Sequence, residues 1–545
     1  MWQQNYTPLN GNLALSALVA ALPILVLLYL LGIRRTSAWI AAVSGLATTV
    51  VVSLFLYGMP VVRVVSAAAY GAAYGLFPIG WIVIWALYLY RLTLDTGKFE
   101  SIKHSLRSLT QDRRLQTLLI AFAFGAFLEG AAGFGTPVAV AAAMLAGLGF
   151  APFYAAGICL LANTAPVAFG SIAIPIVTLA GITGLPLDRL SAGVGRICAP
   201  VSLIVPAYLV VVLGGWGALR SVFPAALLCG VTFAGLQFLI SNFVGPQLTD
   251  LIASLCAMGV LVVLFLVWKP KDKDEVESTA PSAGATAVPP AHHSAGQVFL
   301  AWSPYLLLVI CVLAWGWQPM QKPLNSVSIP IQWPGLHNLI DRVPPVTPKV
   351  SPYAAIFNLN WLSASGTSCM IACILSLFVL RISPLKALKI FLSTLHQLMF
   401  SLITLASVLG LAFLMNYSGA TGTLGLAFAA TGASFPFFSA ILGWLGVFLT
   451  GSDTSANALF GNLQVVTASK LGFNPVLMAA ANSAGGVMGK MISLSSIAVA
   501  AAATNMAPHE EAKLFRFTLK HSVLLACVVG LIVTFYTYVA PHLQP

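Results

Sequence analysis

The chain has 545 residues, 59% of them hydrophobic and only 7% charged, with a mean hydropathy of +0.93. A soluble globular chain carries roughly 25% charged residues, so this composition excludes a water-soluble fold and puts apolar surface against lipid. The formal net charge of +12 could suit nucleic acid, but the basic residues sit in short segments between apolar runs, where they mark the cytoplasmic face of a membrane protein.

In chain order, the first apolar run is Leu13–Leu31. The stretch MWQQNYTPLNGN before it has no basic residue, and no clear small-residue cleavage site follows it. It reads as a first membrane helix, not a signal peptide. Arg34–Arg35 then put the end of this helix inside and its start outside. Runs at Ala38–Leu56 and near 61–90 lead to the basic stretch Arg91–Arg114. Further runs include Leu251–Trp268 and Ser522–Val539. Each is long enough for a bilayer core of about 30 Å, and unbroken apolarity fits helices rather than barrel strands.

Lys269–Lys273 opens a segment, 269–297, that is charged and then rich in Ala, Pro and Ser. It reads as a flexible cytoplasmic linker between two halves, 1–268 and 298–545. Its His292–His293 pair is too little for a metal site. A helix over 298–317 leads out to a loop rich in Pro and Trp, 318–352, and a helix over 353–380 returns to Arg381–Lys389. Of the eight cysteines, Cys159, Cys229, Cys256 and Cys527 lie in apolar runs, and Cys369 and Cys373 share one helical face. They read as packing residues, not disulfides or metal ligands. His396 and His521 sit near helix starts and read as surface or core residues. HEEAK at His509 is not H-E-x-x-H, so no zinc protease is indicated, and no cofactor is expected.

The chain repeats itself. The stretch from Phe127 and the stretch from Phe448 both open F-L-x-G followed by small residues. Both then read L-G-F-x-P (Leu148–Pro152, Leu471–Pro475) and A-N-[TS]-A (Ala162–Ala165, Ala481–Ala484). Both reach a glycine followed by a polar residue, Gly170–Ser171 and Gly489–Lys490. Four matches in one order indicate duplication. The basic loops place corresponding helices in opposite senses, an inverted-topology repeat of the kind that builds many secondary transporters. The expected fold is an all-α polytopic membrane protein with two inverted repeats, broken or re-entrant helices and about 12 full crossings.

Gly130, Gly133, Gly135 and Pro137 interrupt the first repeat where Ser452, Thr454 and Ser455 interrupt the second. Paired interruptions point to a transport site. A half-helix start exposes N–H groups suited to an anion. Nearby hydroxyls and amides, Asn457 among them, cap it or bind substrate. Asn163–Thr164 and Asn482–Ser483 form a second pair of such turns. Close packing of small residues accounts for the alanines but not for the repeated polar residues. Two acids stand out inside apolar runs, Glu129 and Asp453. A charge at mid-membrane costs roughly 2.5–3.5 kcal/mol on insertion scales, and burial disfavours the charged form of a carboxyl. Either acid could carry a proton through a transport cycle, or serve as an ion pair or helix cap. Lys490, far from any basic loop, could meet a substrate carboxylate, pair with Asp453, or snorkel to an interface. Arg196 is a weaker candidate.

These segments resemble a known family. FGAFLEGAAGFGTPVA, NTAPVAFG, GSDTSANALFGNLQ, GGVMGKMIS, LFRFTLKHS, WQQNY and SNFVGPQLTDLIASL are similar to signatures of the bacterial lactate permease family, over nearly the whole chain. The resemblance implies uptake of L-lactate, D-lactate or glycolate with protons across the bacterial inner membrane. It departs at Leu494–Ser495, where the family usually reads Pro-Gln, a change bearing on substrate preference or only on helix geometry. The residue roles above come from the residues and not from the family. Carrying one H⁺ with one monocarboxylate makes the step electroneutral and avoids about 2.3 kcal/mol per charge per 100 mV of opposing potential. Three rivals differ in class: a Na⁺-coupled carboxylate transporter using GSDTSAN as a cation site, a channel without saturable counterflow, and a membrane enzyme. The last would need a catalytic cluster or cofactor motif, and none is present. Nothing in the residues specifies an oligomeric state.

Overall fold

The structure, a computed structural model, describes residues 1–107, 109–133, 135–270 and 294–545. Most of the 269–297 linker, with His292–His293, lies outside the described residues. Among those described, 11 helices are long and apolar enough to cross a membrane, or up to 12 if the bent pair Pro152–Ala162 and Val167–Thr183 is one span. The helices start where local chemistry starts them. Asn12 accepts from the Leu15 N–H, Ser294 and Gln297 form a capping box, and Ser383 caps Pro384–Ser418. Their outer faces are apolar and exposed, as at Leu15, Leu18, Leu22 and Leu25 on the first helix. A contiguous face of that kind belongs against lipid.

Hydrogen bonds orient the helices relative to a basic side, that of Arg34–Arg35, and an opposite side. Lys386 Nζ donates to the Asp95 carbonyl at 3.4 Å, so the ends of Trp81–Asp95 and the start of Pro384–Ser418 meet on the basic side. The far end of Pro384–Ser418 meets the N-terminus on the opposite side. There Gln4 Nε2 donates to the carbonyls of Asn416 and Tyr417 at 2.8 and 2.9 Å, and Tyr6 Oη donates to Gln4 Oε1 at 2.8 Å. Gln4 is buried. Removing it strands two buried carbonyls, at about 1–3 kcal/mol for each buried group left unpaired, and takes the acceptor from the Tyr6 hydroxyl, which keeps the Val343 N–H. Gln4→Ala is therefore expected to lower the thermal unfolding midpoint of the purified protein in detergent. An unchanged midpoint would show that this terminus is not anchored.

The opposite side also carries strands that helix periodicity did not indicate. Trp2–Gln3 pairs in parallel with Ile340–Arg342, which pairs antiparallel with Ser351–Pro352, and Ile329–Gln332 pairs antiparallel with Ile356–Leu359. The returning helix begins at Ser365, not near 353. Pro344, Pro345, Pro348 and Pro352 cannot continue a helix, so the segment closes as small sheets. The 57-residue helix Leu187–Phe243 turns back at Gly215 (φ 75°, ψ −172°). Ser191 Oγ then reaches the Ser241 carbonyl at 2.8 Å, and Arg196 Nε reaches Asn242 Oδ1 at 2.8 Å. With Thr249–Val267 this gives the first half more helix after its repeat than the second half, which ends in Pro508–Tyr538. Arg196 also donates to the carbonyls of Leu543 and Gln544 and so clamps the C-terminus. His396 and His521 lie within long helices, Pro384–Ser418 and Pro508–Tyr538, rather than at their starts.

Candidate functional site

Two hairpins enter the bundle from opposite sides. The first descends through Arg113–Ala131 and returns through Thr136–Gly147. Arg113 Nη2 donates to the Gly149 carbonyl at 3.2 Å, so both of its ends lie on the basic side. The second descends through Phe435–Thr450 and returns through Asp453–Leu471. Tyr538 Oη donates to the Ala433 carbonyl at 2.6 Å and its ring meets Phe473, so both ends lie on the opposite side. The two hairpins meet tip to tip inside the bundle, on one cavity. Their tips turn at Gly135 (φ 81°) and Gly451 (φ 71°), left-handed positions that glycine takes without strain. Two crossing helices break alongside the tips. Pro152–Ala162 and Val167–Thr183 meet at 64°. Pro475–Lys490 gives way to Leu494–Ala503 through Met491–Ser493.

The four interruptions enclose a cavity of about 220 Å³. Its lining includes Glu129 and Gly135 from the first hairpin, Gly170 and Ser171 from one break, Ser452, Asp453 and Thr454 from the second hairpin, and Lys490, Ser495 and Ser496 from the other break. Ser171, Ile172 and Ala173 sit at φ 47°, 58° and 60°. Such left-handed geometry costs roughly 1–2 kcal/mol per L-residue. It is held by Ser171 Oγ donating to the Ala132 carbonyl at 2.9 Å, which fastens the break to the first tip. A second cavity of about 820 Å³, lined by Arg35, Thr36, Glu511 and Arg516, shares Gly451 and Ser495 with the first. The site therefore adjoins a vestibule on the basic side.

Three charged side chains converge in the inner cavity. Lys490 Nζ donates to the Gly451 carbonyl at 2.6 Å. It forms no salt bridge with Asp453, the pairing the sequence raised, although both Asp453 and Glu129 lie within its electrostatic reach. Asp453 Oδ2 accepts from Ser483 Oγ at 2.6 Å and from Asn457 Nδ2 at 3.4 Å, while its Oδ1 has no protein donor among the described residues. Glu129 lies over Gly170, where a Cβ would come within 2.6 Å of its Oε1. From Asp453 a buried polar chain runs outward. Asn482 Nδ2 donates to Asn457 Oδ1 at 2.9 Å, Gln464 Nε2 to Asn482 Oδ1 at 3.1 Å, and Ser439 Oγ to Gln464 Oε1 at 2.8 Å. Each member is satisfied by the next, as a buried polar network must be.

The residues singled out from the sequence divide into four groups. Glu129, Gly135, Ser452, Asp453, Thr454 and Lys490 line the cavity. Asn457, Asn482 and Ser483 stand behind it and orient Asp453. A third group serves the backbone. Ser452 Oγ also accepts from the Ser455 N–H as helix cap, Thr164 Oγ1 bonds back to the Leu161 carbonyl, and Gly133 gives room to Ser171. Asn163 and Gly130 face away from the cavity's main lining, toward Glu129 and Asp250. Ser496 was not singled out from the sequence, and Ser495 only as part of the Leu494–Ser495 departure; they stand five and six residues past Lys490, just inside the helix that follows the break, and both line the cavity.

Comparison with known proteins places the chain. It matches the L-lactate permease family over residues 16–540. It is 46% identical to the L-lactate permease of Bacillus subtilis over 97% of each chain. It is 44% identical to the glycolate permease GlcA of Escherichia coli, over 99% of this chain and 98% of that one. A solved structure, the Alcanivorax borkumensis YdaH transporter with an unusual topology, covers 81% of this chain and 86% of its own at 14% identity and a TM-score of 0.33, a likeness that carries no argument. With its full-length match and its paired interruptions on one cavity, this chain belongs to the L-lactate permease family.

Proposed function

We propose that the chain is a secondary transporter of the bacterial inner membrane that takes up small 2-hydroxymonocarboxylates, L-lactate, D-lactate or glycolate, together with protons. The basic side is then the cytoplasm, and the halves 1–268 and 298–545 are the two repeats. One observation carries this reading: a single cation, Lys490, stands with two carboxyls, Glu129 and Asp453, in a cavity of about 220 Å³ edged by hydroxyls. That volume suits a small acid. Lys490 supplies the charge for its carboxylate, and the Ser452, Thr454, Ser495 and Ser496 hydroxyls can bond its 2-hydroxyl. Glu129 or Asp453 takes the co-transported proton, so the net charge of the site is the same with and without substrate. The names of the relatives, lactate and glycolate permeases, fit the same size class.

The test is uptake of labelled L-lactate and glycolate into sodium-free proteoliposomes under an inward proton gradient. Saturable, gradient-driven accumulation is expected. Accumulation only with sodium present would favour the Na⁺-coupled alternative. Lys490→Gln is expected to raise KM at least tenfold, because a charge-assisted contact to the carboxylate is worth about 1.5–3 kcal/mol. A KM unchanged in Lys490→Gln would remove Lys490 from the substrate.

A further inference from the structure

Behind the first hairpin tip lies a group of polar side chains of which only Glu129 also lines the substrate cavity. Asp250 is the second residue of Thr249–Val267 and is only 1% exposed. Neither of its carboxylate oxygens has a donor among the described residues. Its Cβ lies against Gly130, where an added methyl would come within 2.9 Å. Glu129, the preceding residue, has no donor to Oε2 within 3.5 Å, and the Asn163 amide stands beside its carboxyl as the one group able to donate to it, with no other partner for Asn163 Oδ1 or Nδ2 among the described residues. Gln237 donates from Nε2 to the Ala165 carbonyl at 3.0 Å and leaves Oε1 unpaired. All four side chains are buried.

The balance is one-sided. Five acceptor oxygens, Asp250 Oδ1 and Oδ2, Glu129 Oε2, Asn163 Oδ1 and Gln237 Oε1, have no donor within 3.5 Å among the described residues, and the one amide beside them, Asn163 Nδ2, faces Glu129 and not Asp250. Buried oxygens without donors are unfavourable, and a buried carboxylate without a counter-charge more so. Asp453 differs, because it has Ser483 and Asn457 as donors. An excess of oxygens with two acids is the reverse of an anion site. It is what a hard monovalent cation or a shared proton needs. No cation acts on Asp250: the charged group that does is Glu129, itself an acid, and the neighbouring Cys198 on the packed helix Leu187–Phe243 carries no positive charge. Arg196 on that helix is bonded to Asn242 and to the C-terminal carbonyls, and Lys490 acts on Glu129 from the cavity side.

We propose that Asp250, Glu129 and Asn163 form a second binding site, for a small monovalent cation, either a proton or sodium. Glu129 belongs to both sites, so occupancy behind the tip is felt in the substrate cavity. The link to transport rests on the function proposed above, whereas binding itself does not.

The test reads binding without substrate. Thermal unfolding midpoints of the purified full chain in detergent are measured in NaCl against choline chloride at equal ionic strength, and across pH 5–8. A bound cation stabilises the folded state by mass action. If sodium is the occupant, wild type gains several degrees in NaCl and Asp250→Asn does not. If a proton is the occupant, wild type gains stability as pH falls, sodium has no effect, and the pH response is lost in Asp250→Asn. Glu129→Gln carries the same expectation and stands in if Asp250→Asn does not fold. Identical sodium and pH responses in wild type and variant would overturn the site. Loss of the cation response in a protein that moves no lactate at all would leave the site standing and sink the transport reading instead.

Discussion

Asp453→Asn is expected to abolish proton-driven accumulation of L-lactate while keeping counterflow exchange. Through a 1:1 symporter, an inward gradient of one pH unit, about 1.4 kcal/mol, drives about tenfold accumulation. The variant should stop at equal concentrations inside and out. The geometry explains why the fold should survive. Asparagine has the same shape, and its amide oxygen can still accept from Ser483 Oγ, which now donates to Asp453 Oδ2 at 2.6 Å. Its amide nitrogen would take the place of Oδ1, which no donor among the described residues contacts. What is lost is the ability to gain and release a proton. Coupled uptake intact in Asp453→Asn would reduce Asp453 to the first-turn acid of Asp453–Leu471, favourable against the helix dipole, and would leave Glu129 as the carrier. Exchange lost along with accumulation would mean that the carboxylate shapes the substrate site itself.

Much of this site was legible in the residues because its parts are costly where they stand. Glu129, Asp453 and Lys490 announce themselves inside apolar runs, and the doubled motifs pair the breaks that bring them together. The elements that escaped notice are those whose local sequence is ordinary. Asp250 follows Gly-Pro-Gln-Leu-Thr, which reads as a loop, and an acid at a helix start reads as a cap. Only the packing of Gly130 onto it shows that it is buried. The strands over 329–359 have no long alternation, and they form because prolines forbid a helix and the N-terminus supplies an edge. Lys490 turns to the Gly451 carbonyl rather than to Asp453. A pairing of opposite charges can be guessed from sequence, but the choice between a carboxylate and a free helix-end carbonyl is set by distances of a few ångströms that only tertiary contacts determine.

Gly485→Val is expected to remove folded protein altogether, a loss visible as the missing monodisperse peak on size exclusion in detergent. Phe435–Thr450 and Pro475–Lys490 cross so closely that at three glycines backbone lies against backbone. A Cβ at Gly485 would overlap the Ala440 carbonyl, one at Gly443 would overlap the Asn482 carbonyl, and one at Gly489 would overlap the Trp444 carbonyl. The obstacle is backbone in each case, so no rotamer change relieves it. Small residues at such crossings let membrane helices approach and pack by dispersion where no hydrophobic driving force exists between them. Overpacking a core costs about 1–3 kcal/mol even where side chains can shift, and here the helices themselves must part. The same crossing carries the Gly451 tip to Lys490, so a separation would also break the 2.6 Å bond between them. Gly259→Val is the matched control. Gly259 lies on the exposed face of Thr249–Val267 with nothing within 4 Å of an added Cβ, and that variant should fold and transport as wild type does. Gly485→Ala should fall between the two, folding in reduced yield with transport impaired. Normal folding of Gly485→Val would mean that the two helices cross more loosely than the structure places them, and that the second tip does not reach Lys490 as described.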